Sequence, residues 1–108
     1  MANMSDASVN HARLCHLAKE MGWDVNIVSK KPAFNEDRLG TYRLFEYEYS
    51  DDITIRAHVF DKGLTGPDVS VYSRQHGSLL YVNALRLEHT ISAIKEVLAW
   101  VDETSPCS

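Results

Sequence analysis

Apolar residues recur at helical spacing near both ends of the chain. In the segment SDASVNHARLCHLAKEMG, residues 5–22, four of them fall at i, i+3, i+4 and i+7 and so share one helix face. Ser5 or Asp6 can cap its first amides, and Gly22 suits the left-handed position that ends a helix. A longer apolar stripe occupies residues 87–102, with polar residues opposite. The predicted buried faces are Leu14, Leu17, Ala18 and Met21 in the first helix, and Leu87, Ile91, Ile94, Val97, Leu98 and Val101 in the second.

After the first helix, the spacing of the apolar residues changes from helical to alternating. In WDVNIV the apolar residues Trp23, Val25 and Ile27 alternate with polar ones, which is typical of a half-buried strand. The next segment, KKPAFNEDRLG, contains a proline, an asparagine and a glycine, and these residues favour irregular backbone. The pattern therefore predicts a first strand over residues 23–28 and a loop over residues 30–40.

The segments YRLFEYEY and ITIRAHVF, joined by SDD, predict a β-hairpin over residues 42–60. Register is chosen by asking which pairing separates apolar from polar faces, because a slip of one residue exchanges the faces. A two-residue turn would bury Glu46 and Glu48 without partners, which is costly, so a turn of three residues is preferred. This register pairs Tyr49 with Ile53, Tyr47 with Ile55, Phe45 with Ala57 and Arg43 with Val59 on a core face. On the reverse it pairs Tyr42 with Phe60, Leu44 with His58, Glu46 with Arg56 and Glu48 with Thr54.

A second hairpin is predicted after the connection DKGLTGPD, residues 61–68. The segments VSVYS and SLLYVNA flank a turn at residues 74–77. With four turn residues, Val71 pairs with Leu80 and Val69 with Val82 on the core face. The side chains expected on the opposite face are Tyr72, Leu79 and Tyr81.

The order of these elements predicts an α+β fold in a single domain, residues 1–108, with an ordered part of about residues 5–103 and polar tails. It has an N-terminal helix, an antiparallel sheet of four or five strands built from two hairpins, and a C-terminal helix. A chain of 108 residues is long enough to bury a modest core without disulfides or metals. The two cysteines, Cys15 and Cys107, are interpreted as free thiols.

The predicted sheet has more large apolar groups on its reverse face than a solvated face should carry. One explanation is that one helix packs on each face, which makes these residues a second core layer. The other is that both helices share one face and the reverse binds a second copy or another protein. On the second explanation the protein-binding residues are the apolar set Tyr42, Leu44, Phe60, Tyr72, Leu79 and Tyr81, with the acidic set Glu46, Glu48, Asp51 and Asp52 beside them. The acidic set is otherwise simply a solvated hairpin tip.

Charge narrows the expected partners. The net charge is −4 and the sequence pI is near 5.6. This argues against binding that depends on neutralising phosphates, and so against direct nucleic-acid binding and anionic membranes. The chain also has neither the basic and apolar start of a secretory signal nor an apolar run of about 20 residues, so we expect a cytoplasmic protein.

No catalytic or metal-binding constellation is apparent in the sequence. In HARLCH, His11 and Cys15 lie on one flank of the helix, but His16 lies about 140° away and cannot join them. No glycine-flanked serine matches a nucleophile elbow. His58, on the reverse face beside Leu44, is the histidine most suited to a role in a pocket. We therefore expect no metal and no cofactor, with a small-ligand binder or enzyme near His58 as an alternative.

The element order, small size and acidity over residues 10–103 are similar to those of type III secretion chaperones. This resemblance implies a cytosolic dimer in which helices flank a sheet that binds unfolded effector segments, although DKGLTGPD is too short for the internal helix of those dimers. The hypothesis we favour from the residues is a non-enzymatic protein-binding module. It would occupy a basic surface of a partner, as small acidic inhibitors, immunity proteins and phage anti-defence proteins such as anti-CRISPRs do. A homodimer is a further alternative.

Overall fold

The computed structural model describes residues 6–34, 36–62, 67–83 and 86–104. Along the chain, an N-terminal helix is followed by a five-stranded antiparallel sheet and then by a C-terminal helix. The strands follow one another in the sheet in chain order, from β1 at one edge to β5 at the other. The α+β prediction is confirmed. The elements are α1 (Asp6–Met21), β1 (Asn26–Pro32), the single turn α2 (Glu36–Leu39), β2 (Thr41–Glu48), β3 (Ile53–Phe60), β4 (Asp68–Ser73), β5 (Gly77–Asn83) and α3 (Leu87–Thr104).

The first helix has the predicted apolar face and the predicted end. Leu14, Leu17 and Ala18 are buried. At the C-terminus the Gly22 N–H donates to Lys19 O (3.3 Å) and the Trp23 N–H donates to Ala18 O (2.9 Å). These two bonds form a Schellman motif, which satisfies carbonyls that the helix itself leaves without donors. Gly22 has a φ of 70°, in the left-handed region that glycine adopts without strain.

The pairing of β2 with β3 has the predicted register throughout, from Tyr42 opposite Phe60 to Glu48 opposite Thr54. At the turn, the Tyr49 and Ser50 N–H groups both donate to Ile53 O (3.0 and 3.2 Å). The Ile53 N–H in return donates to Ser50 Oγ (3.1 Å). The three-residue turn is therefore closed on itself, and it fixes which side chains of this hairpin face the core.

The β4–β5 hairpin departs from the prediction at one residue. Val69 lies opposite Val82 and Val71 opposite Leu80, as expected, but Tyr72 lies opposite Ser78, so Leu79 is an extra residue in β5. Such a bulge interrupts the alternation of faces. Leu79 and Leu80 both pack against the core. The predicted placement of Leu79 on the reverse face is therefore wrong.

The first strand is also displaced from its predicted position. Trp23 and Val25 lie before β1 and so outside any strand, but both side chains pack against the core. The Trp23 ring is stacked on the Tyr47 ring, with 5.2 Å between the ring centroids. The strand itself extends through residues 30–32, which the sequence had suggested were loop. It contains a register shift between residues 27 and 29, and Ile27 is 58% exposed. A proline at residue 32 is compatible with this strand because β1 lies at the edge of the sheet.

Both long helices pack on the same face of the sheet. Leu17 of α1 and Ile94 of α3 are each fully buried in one cluster with Val59 and Val71 of the sheet. This decides between the two arrangements that the sequence left open: no helix among the described residues covers the reverse face, which is called the outer face below. Neither of the long helices within the described part of the chain is apolar enough to cross a bilayer.

Replacing Gly22 by alanine is expected to destabilise the protein by about 1 kcal/mol, because a Cβ is strained at this backbone conformation. Nothing lies within 4 Å of the position that a Cβ would take, so the cost is conformational and not steric. The matched variant Gly22→Asn should lose about half as much, since asparagine tolerates the left-handed region better. Urea unfolding measures both; equal losses for the two residues would contradict a conformational origin.

Candidate functional site

The outer face consists of four rows of side chains that run across the strands. Strand pairing defines them, because residues directly opposite one another share a face. Tyr72 and Tyr81 are 41% and 63% exposed, and the other rings on this face are partly buried by their neighbours. The rows, each in order from β1 towards β5, are Glu48, Thr54, Tyr72 and Ser78; Asn26, Glu46, Arg56, Ser70 and Tyr81; Ser29, Leu44, His58, Asp68 and Asn83; and Lys31, Tyr42 and Phe60.

An aromatic cluster occupies the β2–β3 part of this face. The Tyr42 ring lies 5.3 Å from the His58 ring and 6.2 Å from the Phe60 ring, measured between centroids, with both pairs tilted. Leu44 lies opposite His58. These four side chains are half-buried, and neither of the long helices packs on them. Aromatic groups held by one another in this way present a rigid surface that loses little conformational entropy on binding.

A polar pair lies in the middle of the face. His58 and Asp68 are directly opposite each other on β3 and β4. The Tyr81 hydroxyl donates to Asp68 Oδ2 (3.0 Å). Asp68 Oδ1 is buried and accepts no hydrogen bond from any group that the structure describes. A buried acceptor without a donor costs free energy.

Both members of the pair favour their neutral forms. Burial lowers the pKa of His58, and the charge on Asp68 offsets this only in part. Burial likewise raises the pKa of Asp68, against smaller opposite effects from the Tyr81 hydrogen bond and from His58. Burial and the Asp68 hydrogen bond together raise the pKa of Tyr81. The centre of the outer face is thus a poorly solvated carboxyl group that would be stabilised by a cation.

Arg56 is held in the row beside this pair. Its Nε–H donates to Glu46 Oε2 at 2.9 Å, the cross-strand pair expected from the sequence. Its guanidinium carbon lies 5.9 Å from the centre of the Tyr72 ring. Glu46 is therefore paired with Arg56 and is less available to an incoming cation than Glu48, which is exposed and opposite Thr54.

The acidic hairpin tip divides into one structural carboxylate and one exposed carboxylate. Asp52 accepts hydrogen bonds from Ser73 Oγ (2.8 Å, to Oδ2) and from the Gln75 N–H (3.0 Å, to Oδ1), so it ties the β2–β3 turn to the β4–β5 turn. The Ser73 hydrogen bond is the main reason why the pKa of Asp52 is lowered. Asp51 is exposed at the same turn. Asp52 thus connects the two turns, whereas Asp51 and Glu48 are exposed.

The candidate chemistry elsewhere stays limited to single pairs. The predicted pairing of His11 with Cys15 is present, with Nε2 and Sγ 3.5 Å apart, but this pair is exposed on α1. Within the described residues no group of three His, Cys, Asp or Glu side chains could hold a metal ion. The main grooves of the described surface lie between α1, residues 23–25 and β2, at the β1–β2 end, and between α3 and β5, and His58 lines none of these. Cys107 lies outside the described residues.

Most of the predicted contact residues come together on the outer face, while Leu79 does not. Asp68 is the residue that the sequence reasoning missed, because residues 61–68 were interpreted as a connection. The available signal was register: extending the Val69–Ala57 pairing by one residue places Asp68 opposite His58.

Comparison with known proteins finds no protein-family model, no curated protein and no solved structure that matches this chain.

The burial of the Asp68 carboxyl group gives the stability of this protein a testable pH dependence. Because its pKa is raised in the folded state, the native protein binds more protons than the unfolded chain above the ordinary aspartate pKa of about 3.9. The contribution of Asp68 to the free energy of unfolding is therefore fully present below about pH 3.9, and it is lost as the pH rises through the raised pKa of the folded state. The charge on Asp68 raises the pKa of His58, so removing that charge lowers the pKa of His58 further and adds to the same trend with pH.

We expect Asp68→Asn, which keeps an acceptor for the Tyr81 hydroxyl, to unfold with the same free energy as wild type near pH 3. It should become progressively more stable than wild type as pH rises towards 7. Urea unfolding at a series of pH values measures this difference. Asp51→Asn, at an exposed carboxylate of the hairpin tip, is the matched control and should not produce this trend. A difference for Asp68→Asn that is constant with pH would contradict the assignment.

Proposed function

We propose that this protein is a non-enzymatic binding module that attaches to a basic surface of another protein through its outer face. The observation that carries the proposal is the combination of exposed aromatic rings with a buried, unpartnered carboxylate oxygen on a sheet face that no described helix covers. A face of this kind is costly to leave in water. A partner that covers the rings and brings a positive charge close to the Asp68 carboxyl group would relieve both costs together.

The aromatic rings supply the contact area in this proposal. Tyr42, Tyr72 and Tyr81 each offer a large apolar ring with a polar tip, the type of side chain that dominates the energy of protein interfaces. Tyr72 and Tyr81 lie on the β4–β5 part of the face, and Tyr42 with Phe60 on the β2–β3 part. The two groups are separated by His58 and Asp68. A partner covering both groups would therefore exclude water from the polar pair between them.

The charges define the chemistry of the partner. A lysine or arginine side chain held between the two aromatic groups would place a positive charge beside the Asp68 carboxyl group, and this would favour the charged form of that group. The net charge of −4 and the exposed Glu48 and Asp51 attract such a surface from a distance. The proposed action is inhibition by occupancy, in the manner of immunity or anti-CRISPR proteins: a basic surface, such as one that holds nucleic acid, is covered by this chain.

Removal of two rings tests the contact surface. We expect Tyr42→Ala with Tyr72→Ala to weaken binding by about 100-fold or more, because tyrosine anchors at interface centres each contribute roughly 2 kcal/mol. The matched control is Phe34→Ala, which removes a fully exposed ring outside the outer face. Proteins captured by wild type are identified by mass spectrometry, purified and measured individually against each variant. Circular dichroism verifies that the variants fold, and equal affinity of the Tyr42/Tyr72 variant and wild type would refute the assignment of the surface.

Charge reversal tests the steering role of the two exposed carboxylates. We expect Glu48→Lys with Asp51→Lys to slow association with the purified partner by about tenfold at low salt, while dissociation changes little. The effect should diminish at high salt, where exposed charges are screened. Biolayer interferometry measures both rates. Glu20→Lys with Glu103→Lys, which changes the net charge by the same amount at exposed positions on the two helices, is a control for the charge of the whole protein. A loss confined to the dissociation rate would argue against steering.

A further inference from the structure

The two edges of the sheet differ in how they are protected from pairing with another strand. The β1 edge contains Lys30, Lys31, Pro32 and a register shift after Ile27. Lysines, prolines and bulges are devices by which edge strands avoid intermolecular pairing. The β5 strand, GSLLYVN, contains no charged residue and no proline, and its only irregularity is the bulge at Leu79. Its composition leaves the backbone open to a further strand.

Exposed aromatic side chains lie on both sides of the β5 edge. Tyr81, 63% exposed, stands on the outer face. On the helix face, a groove between β5 and α3 is lined by Ser78, Leu79, Glu96, Val97 and Trp100, and Trp100 is 53% exposed. Among the described residues β5 pairs only with β4, so one side of its backbone has no strand partner. A strand added here would gain backbone hydrogen bonds and apolar contacts on both of its faces.

We propose that β5 pairs in antiparallel fashion with β5 of a second copy of this chain, giving a continuous sheet of ten strands. The neutrality of β5 is the reason for choosing a second copy as the occupant. Pairing a strand with itself places equal charges opposite or diagonal to each other, and like charges in those positions are destabilising. An edge selected for a foreign basic strand would carry acidic residues, as the rest of this acidic chain does, whereas β5 has none.

The pleat limits the register of this pairing. Residues that lie opposite each other in two paired strands must be on the same face of the sheet. In a symmetric antiparallel pair, the two-fold axis is therefore perpendicular to the sheet, and the residue at this axis lies opposite the same residue of the other copy. Tyr81 is the exposed ring near the centre of β5, and pairing Tyr81 with itself places Leu80 opposite Val82, both on the core face. Asn83 of one chain then lies beside the Ser78–Leu79 bulge of the other. This axis leaves both outer faces on the same side of the assembly.

The pairing does not depend on the function proposed above, since it uses the backbone edge of β5 and shares only Tyr81 with the contact rings of the outer face. Sedimentation velocity and light scattering on the full chain are expected to give twice the 12.2 kDa of the monomer, with a dissociation constant that sedimentation equilibrium can measure. Ser78→Lys with Asn83→Lys introduces like charges at exposed positions of β5. It should raise that dissociation constant by about tenfold or more, with unchanged circular dichroism.

Asn26→Lys is the matched control, because it adds a charge at an exposed position on the opposite edge and should leave the dimer intact. A protein that stays monomeric at millimolar concentration overturns the proposal, and leaves partner binding by the outer face unaffected. A dimer that tolerates both β5 lysines but dissociates in the Tyr42/Tyr72 alanine variant also overturns it, because the copies would then meet through their outer faces. Loss of partner binding with an intact β5 dimer would instead refute the proposed function alone.

Discussion

The structure depends on one apolar layer, formed between a pair of helices and a single face of the sheet. Leu17 of α1 and Ile94 of α3 lie completely inside it, and the inward side chains of β3 and β4, such as Val59 and Val71, form its floor. Burial on this scale provides most of the favourable free energy of a domain of 108 residues. Because α1 and α3 both pack on one side, no long helix among the described residues covers the outer face.

The sequence predicted the interior of the sheet well and its edges poorly, for a physical reason. In β2 and β3, each strand has a neighbour on both sides, so alternation of apolar and polar residues is enforced and a slip would bury Glu46 and Glu48. In β1 and β5 one side is unconstrained, and each contains a bulge that alternation cannot reveal. The apolar faces of the two long helices were also correctly predicted. The apolar face of a helix has the same sequence pattern whichever face of the sheet it packs against. Sequence alone therefore could not choose between a second core layer and an open surface.

The outer face combines features that oppose stability. Phe60 and Tyr42 are large apolar side chains that are only half-buried, and Asp68 Oδ1 is buried and has no donor among the described residues. A face selected only for stability would place threonine, lysine or glutamate at these positions, where they are solvated at little cost. By contrast, the polar groups at the hairpin ends are well satisfied: Asp52 accepts two hydrogen bonds, and Tyr49 donates to Asp102 of α3 (2.9 Å). The cost is confined to the middle of the surface that a partner would cover, which is where binding could recover it.

Tyr81 belongs both to the outer face and to the β5 edge, so the proposed partner binding and the proposed dimer share this residue. Its hydroxyl holds Asp68 Oδ2, while its ring stands beside the open strand edge. In a ten-stranded assembly the two Tyr81 rings would face each other at the two-fold axis, and the two Asp68 carboxyl groups would lie one strand away on either side. The binding surface would then be duplicated on one side of a rigid sheet. A partner with two basic sites at matching separation would gain from the high effective concentration of the second contact, so moderate affinity at each face would suffice for tight attachment.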